Sequence, residues 1–352
     1  MTGKNKYVVL LTTILLIVFG QNARAQDPNF SQFYNNPIYY NPSMTAIGHG
    51  LAWRANARNL WGPVPGKFNT YSASVDAEAL NKTGLGLIAY SDVAGEGMLR
   101  TQGAYIHYSY RPLETKRIIV QAGLSGGFIH KSIDWSQLNF SDQYDEVFGN
   151  VKPTAFVAPG YNNVMYPDFA TGATVRFNAG KAESRDKKMT TTVGLSFHHL
   201  TRPKDAFISD GQRLPVKWLL HANTGILLNG LVYAPGFIFE RQNKFQTFTI
   251  GANVMKSPVF AGLWFRNRSF NLGLKSYDSF IFNLGLNTLF NKTTRMRVTY
   301  GYDFTISRLK TSAMGTHELS IVFEFDDKVL FQSVKDKRRQ KSKNKFKECV
   351  NF

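Results

Sequence analysis

The chain is almost without cysteine: Cys349, close to the end, stands alone among 352 residues. No internal disulfide can form, so a disulfide-stapled scaffold is excluded and stability has to come from elsewhere. Long hydrophobic runs are equally scarce. Past residue 25 no stretch approaches the roughly 18 uninterrupted apolar residues of a membrane helix, although aromatic residues reach 14%. Helical membrane spans are therefore excluded. Helical periodicity is nearly absent as well, and acids are few, 24 against 42 Lys and Arg.

What is present begins with a targeting signature. Lys4 and Lys6 precede an apolar run from Tyr7 to Phe19, which ends at Ala23-Arg24-Ala25. A charged region, a short apolar region and an A-x-A site read as a cleavable signal over residues 1–25. The run is too short for a permanent span, which needs about 20 residues. The mature chain is expected to start at Gln26. Of the +18 formal charge, +3 lies on residues 1–25, +5 on residues 326–352 and +10 on the body between. A basic balance often marks nucleic-acid binding, but an exported chain meets lipopolysaccharide phosphates or acidic proteins instead. No nucleic-acid partner is expected.

From residue 51 to 325 the sequence alternates with period 2 in segments of about ten residues separated by turn signals. Met296, Val298, Tyr300, Tyr302 and Phe304 share one face, opposite Arg297, Thr299, Gly301 and Asp303. Leu319, Ile321, Phe323 and Phe325 likewise oppose Glu318, Ser320 and Glu324. Fourteen such segments are expected, starting near residues 51, 68, 84, 99, 117, 168, 190, 216, 231, 245, 259, 280, 295 and 315. Alternating strands cross a bilayer only as a closed barrel, because backbone polar groups have no other partner in lipid. A soluble antiparallel sandwich shows the same alternation. The lengths between segments favour the barrel, with tight turns such as Asn229-Gly230 at one end and longer loops, Lys131 to Tyr166 and Thr201 to Pro215, at the other. The expected architecture is an all-β transmembrane antiparallel β-barrel over 51–325. Both chain ends would be periplasmic, with the long loops outside.

Two regions stand apart from the barrel. Residues 26–50 read as an ordered, non-helical segment in which Phe30, Phe33 and Tyr34 are candidates to plug the periplasmic mouth. Residues 326–352 form a basic tail, with Lys337, Arg338, Arg339 and Lys341 as candidate periplasmic docking residues. In the lumen, Arg54, Arg58, Arg297, Asp303 and Glu318 are expected to face inward, since buried charges must be paired or wet.

The order and spacing of several stretches resemble the PorP/SprF family of type IX secretion and gliding proteins. These are Gln26-Asp27-Pro28-Asn29-Phe30-Ser31-Gln32-Phe33-Tyr34 with Asn36-Pro37 and Asn41-Pro42, then Trp53, Arg54, Arg58, Trp61 and Gly62. Gly194 to Pro203, Tyr302 to Ser307 and Gly315 to Ser320 continue the resemblance. It implies an outer-membrane component that binds or anchors a secreted, adhesin-like surface protein by its C-terminal domain. Periplasmic secretion or motility components would be its other partners, with outer-membrane lipid and lipopolysaccharide around it. A general porin or uptake channel is the alternative.

No chemistry of catalysis is legible. There is no G-x-S-x-G elbow and no readable Ser/His/Asp context, so no enzyme activity is expected. His198 and His199, with His221 or His317, are potential metal ligands, but neighbours on a strand point to opposite faces. One is expected in a lumen network and the other at the interfacial girdle. Asp134, Asp142, Asp145 and Glu146 lack the EF-hand order of ligands. Neither metal nor cofactor is expected.

Overall fold

Strand β1 (Leu51–Leu60) pairs with the last strand in antiparallel register from Leu51↔Phe325 to Leu60↔Thr316, and that pairing closes the sheet on itself. The computed structural model describes residues 27–61, 67–80, 82–95, 99–145, 147–158, 160–179, 187–207, 213–268, 277–291, 293–306 and 315–325. The expected signal over 1–25 and the tail over 326–352 lie outside them. Around the barrel follow β2 (Lys67–Leu80), β3 (Thr83–Gly95), β4 (Leu99–Glu114) and β5 (Ile118–Ser132). After a small loop hairpin, β6 (Tyr144–Asp145) and β7 (Gly149–Asn150), come β8 (Asn163–Ala179), β9 (Lys187–His198) and β10 (Lys217–Leu228). The circle ends with β11 (Leu231–Gln242), β12 (Phe245–Lys256), β13 (Val259–Asn267), β14 (Tyr277–Leu289), β15 (Thr294–Thr305) and β16 (Thr316–Phe325).

Omitting the loop hairpin, the closed antiparallel barrel has the fourteen expected strands, each beside its neighbour in sequence. Alternation sorts the side chains. Leu87, Ile106, Leu124, Phe169, Leu284 and Leu319 project outward as an apolar belt, while Asn56, Ser74, His107, Thr174, Asn253, Asn283 and Thr299 are buried inside.

Several strands outrun the expected segments. β5 and β8 pair as far as Ser132↔Asn163, which shortens the longest loop to residues 133–162. The backbone ladder continues past the residues whose alternation marks the segments. Tight turns with positive φ at Lys82 and at Asn229-Gly230 mark one end of the barrel, here the short-turn end. The 133–162 and 199–216 connections mark the long-loop end.

Candidate functional site

The lumen is occupied by residues 27–50, so the site is built from this segment and the inward faces of the strands around it. The composition suggested a non-helical segment. Instead it winds through three single turns, Phe33–Asn35, Pro37–Tyr40 and Pro42–Met44. The cause is local. Pro37 and Pro42 stand at first helical positions, where a fixed φ suits a helix and the missing N–H costs nothing. Asn41 caps its turn by accepting from the Ser43 amide at 2.9 Å.

The path of the segment fixes its role. Asp27 lies 2.8 Å from His199, just past the long-loop end of β9, and 3.9 Å from Lys217 at the same end of β10. Thr45 and Ala46 lie at the opposite end: the Thr45 carbonyl accepts from Ser109 Oγ (2.8 Å) and Gln121 Nε2 (2.6 Å), and the Ala46 carbonyl from Arg111 Nη2 (2.8 Å). The chain therefore runs the length of the lumen before entering β1.

Phe30, Phe33 and Tyr34 are buried, and with Tyr40 they pack against Trp264, Leu219, Ile238 and Ile281. Phe33 meets the Trp264 ring edge-on at 5.2 Å, and Tyr34 stacks on it at 5.7 Å. They sit deep in the barrel toward the long-loop end. The expected place at the short-turn mouth is taken by Thr45, Ala46 and Ile47, because the polar turns at 41–45 have threaded the aromatics further in.

Of the expected lumen charges, three converge. Glu318 accepts two successive backbone amides, Ser31 at 2.7 Å and Gln32 at 2.9 Å. Asp303 accepts from Ser31 Oγ and pairs with Arg266 at 3.0 Å. Arg58 reaches Asp303 at 3.4 Å and Glu318 at 3.6 Å, and also donates to the Asn29 carbonyl. Two acids and two guanidinium groups thus clamp residues 29–32. Arg54 and Arg297 lie elsewhere: Arg54 pairs with Asp76, which also accepts from the Ala46 amide (2.6 Å), and Arg297 donates to Asn35 Oδ1 at 3.3 Å. Lys337, Arg338, Arg339 and Lys341 fall outside the described residues.

A second charged group was not foreseen. His199 holds Asp27 at 2.8 Å on Nε2 and Asp168 at 3.0 Å on Nδ1. Tyr105 donates to Asp168 (2.8 Å), and Lys217 pairs with Glu240 (2.8 Å). The girdle position considered for one of the two histidines does not materialise. His198 points inward by strand parity, and His199 has left the strand with φ +58°, so both rings enter the lumen. Burial opposes a charge on His199, but Asp27 and Asp168 outweigh it and lift its pKa to about 9. Burial likewise opposes ionising Asp27. His199 and Lys217 win, holding its carboxyl well below the usual range. His221 meets Asn41 at 3.2 Å inside, whereas His317 faces outward and bonds Tyr300. Among the described residues no three His, Cys, Asp or Glu side chains are placed to hold a metal.

Space for the segment comes from glycines on the inner wall. A Cβ on Gly123 would stand 2.3 Å from the Ser43 nitrogen, and one on Gly172 2.0 Å from Asn41 Oδ1. Both positions need the backbone bare.

A closed fourteen-stranded barrel with an apolar outer belt and polar interior defines a membrane β-barrel of the outer-membrane type. A family profile described as "Type IX secretion system membrane protein PorP/SprF" matches residues 22–323, and the chain belongs to that family. No curated protein matches it. Among solved structures it is similar to the toluene transporter TbuX of Ralstonia pickettii, with 8% identity over 83% of this chain and 93% of that one and a TM-score of 0.48. A FadL homologue of Pseudomonas aeruginosa gives 10% identity over 85% and 94% and a TM-score of 0.41. The translocator domain of the autotransporter NalP from Neisseria meningitidis gives 13% over 80% and 90% and a TM-score of 0.38.

Proposed function

We propose that this protein is an outer-membrane anchor of the type IX secretion machinery, holding a secreted, adhesin-like protein by its C-terminal domain at the long-loop end while its own lumen stays shut. The observation that carries this reading is the threaded segment. Residues 27–50 bond to strands around the lumen, through Glu318, Asp303, Arg266, Glu240, Ser196, Thr174, Gln121 and Ser72. A segment bonded across the lumen in this way obstructs solute, which supports this reading over the alternative of a diffusion porin or uptake channel. Binding groups then belong on the loops, where they vary without disturbing the strands. On this reading the long-loop end faces the cell exterior. The basic tail over 326–352 leaves β16 at the short-turn end, on the side of periplasmic secretion and motility components.

Planar bilayers test the reading. The mature full chain should pass no current, and deletion of residues 27–45 should either open a conductance or abolish stable folding. Steady conductance by the intact chain would refute it. Loss of surface display of one specific exported protein on excision of residues 133–162, with the barrel still folded, would support the anchoring role.

A further inference from the structure

The described residues of the 133–162 loop are held by bonds among themselves. Phe140 stacks on Phe156 at 4.5 Å, and Trp135 contacts Phe156 at 5.7 Å and Phe207 of the neighbouring loop at 6.3 Å. Asp142 accepts from the Thr154 hydroxyl (3.0 Å) and the Ala155 amide (2.6 Å). Asp145 accepts from the Val147 and Phe148 amides (3.0 and 3.3 Å) and pairs with Lys152 at 2.9 Å. These bonds hold β6 and β7 as a small hairpin with Val147 and Phe148 at its tip.

That tip buries nothing. Val147 is 79% exposed and Phe148 76%, beside half-exposed Tyr144 and Val151, while Val157 further along the same loop is 86% exposed. The loop has an aromatic core of its own and still leaves its largest tip residues in water. A fixed backbone presenting apolar side chains to solvent is the form of a preorganised protein contact, since little entropy remains to be lost on binding. The loop also reverses the charge of the chain. Residues 133–162 hold Asp134, Asp142, Asp145 and Glu146 against Lys152 alone, a charge of −3 in a protein of +18.

We infer that the Val147-Phe148 tip inserts into an apolar recess rimmed by Lys and Arg on an exported protein partner. This rests on the proposed reading that the long-loop end faces outward. An acidic loop is repelled by the phosphates of an anionic leaflet, which disfavours lipid as the occupant.

The experiment uses the full chain in its native membrane. Phe148→Cys in a Cys349→Ser background is first labelled in intact cells with an impermeant maleimide. Labelling is expected, and a residue that labels only after the outer membrane is permeabilised overturns both the orientation and this inference. A photo-crosslinking amino acid at position 148 should then give one discrete adduct with an exported protein, mapped by mass spectrometry to a segment of net positive charge. With the crosslinker moved to position 157, Val147→Ala with Phe148→Ala should cut the yield about tenfold or more, as loss of a central anchor does. Retained heat-modifiable migration of each variant shows that the barrel is intact. A labelled tip that crosslinks only to lipopolysaccharide, only to a second copy of this chain, or to nothing discrete overturns the inference and leaves the outward orientation standing.

Discussion

His199→Gln removes a cation that touches both Asp27 and Asp168, and its effect follows from linkage. The His199 pKa stands at about 9 in the folded protein against an ordinary 6.5. At about 1.4 kcal/mol per unit, the charged ring contributes roughly 3 kcal/mol to holding residue 27 in place. The side chain is only 5% exposed, so solvent screening takes little from this. The sign is that of a raised pKa: the contribution is complete below about pH 6.5 and lost as pH rises through about 9. Asp27 has the opposite sense, with a depressed pKa whose contribution is lost in acid. The start of the segment is thus held best from about pH 4 to 6.5. Most of it remains at pH 7 and almost none at pH 10, a change of roughly one to two orders of magnitude in local opening. A Ser31→Cys thiol, buried in the clamp and introduced with Cys349→Ser, reports that opening by its modification rate relative to an exposed Val157→Cys control. The relative rate should rise on the order of 50-fold from pH 7 to 10 in the parent. In His199→Gln it should already be high at pH 7 and nearly flat with pH. Equal, pH-independent protection in both proteins would refute the argument.

Glu318→Ala leaves the Ser31 and Gln32 amides without their acceptor and should cost roughly 2–5 kcal/mol, read as a lower midpoint in urea unfolding of the reconstituted barrel. Gly123→Val puts a side chain where Ser43 and Pro42 lie within 2.5 Å of a Cβ; it should displace residues 41–45 or cost about 1–3 kcal/mol or more, seen as early loss of heat-modifiable migration. Truncation after Asp327 should leave membrane insertion intact and remove an association with a periplasmic protein. That association should weaken from 0.1 M to 1 M salt, as the screening length falls from about 10 to about 3 Å, and a truncated protein that keeps every partner would count against it.

The barrel was legible because a period of 2 is a local property. Met296 to Phe304 declare their faces within one strand, and the same parity put Arg58, Asp303 and Glu318 inside. The clamp they form was not legible, since Ser31 and Glu318 are 287 residues apart and no spacing encodes such a pairing. His199 escaped for the opposite reason: strand parity was applied one residue too far, past the point where φ turns positive. One unread signal was available. Gly123, Gly172 and Gly194 fall on inward positions of adjacent strands, where a membrane barrel has no local need of glycine, and together they clear the space for Asn41 to Ser43.

The same long separations bear on how the barrel closes. Residues 29–32 are held chiefly by β15 and β16, the last strands to be made, while residues 41–46 are held by β2, β4, β5, β8 and β9. The segment also continues directly into β1, whose partner is β16. Lumen filling by residues 29–32 and the β1–β16 ladder therefore depend on the arrival of the same strand. Contacts of such separation carry the loop-closure entropy of nearly the whole chain, so they form late and together. An emptied barrel is then not a step on the way to a filled one. Weakening the clamp at Glu318 should slow closure as well as lower stability, so Glu318→Ala should accumulate a membrane-bound form with the β1–β16 seam unpaired. Disulfide trapping across that seam, between Ala55→Cys and Ile321→Cys in a Cys349→Ser background, reports it directly, because the two face each other in register. Trapping as fast and complete with Glu318→Ala as with Glu318 would separate the two events and refute the coupling.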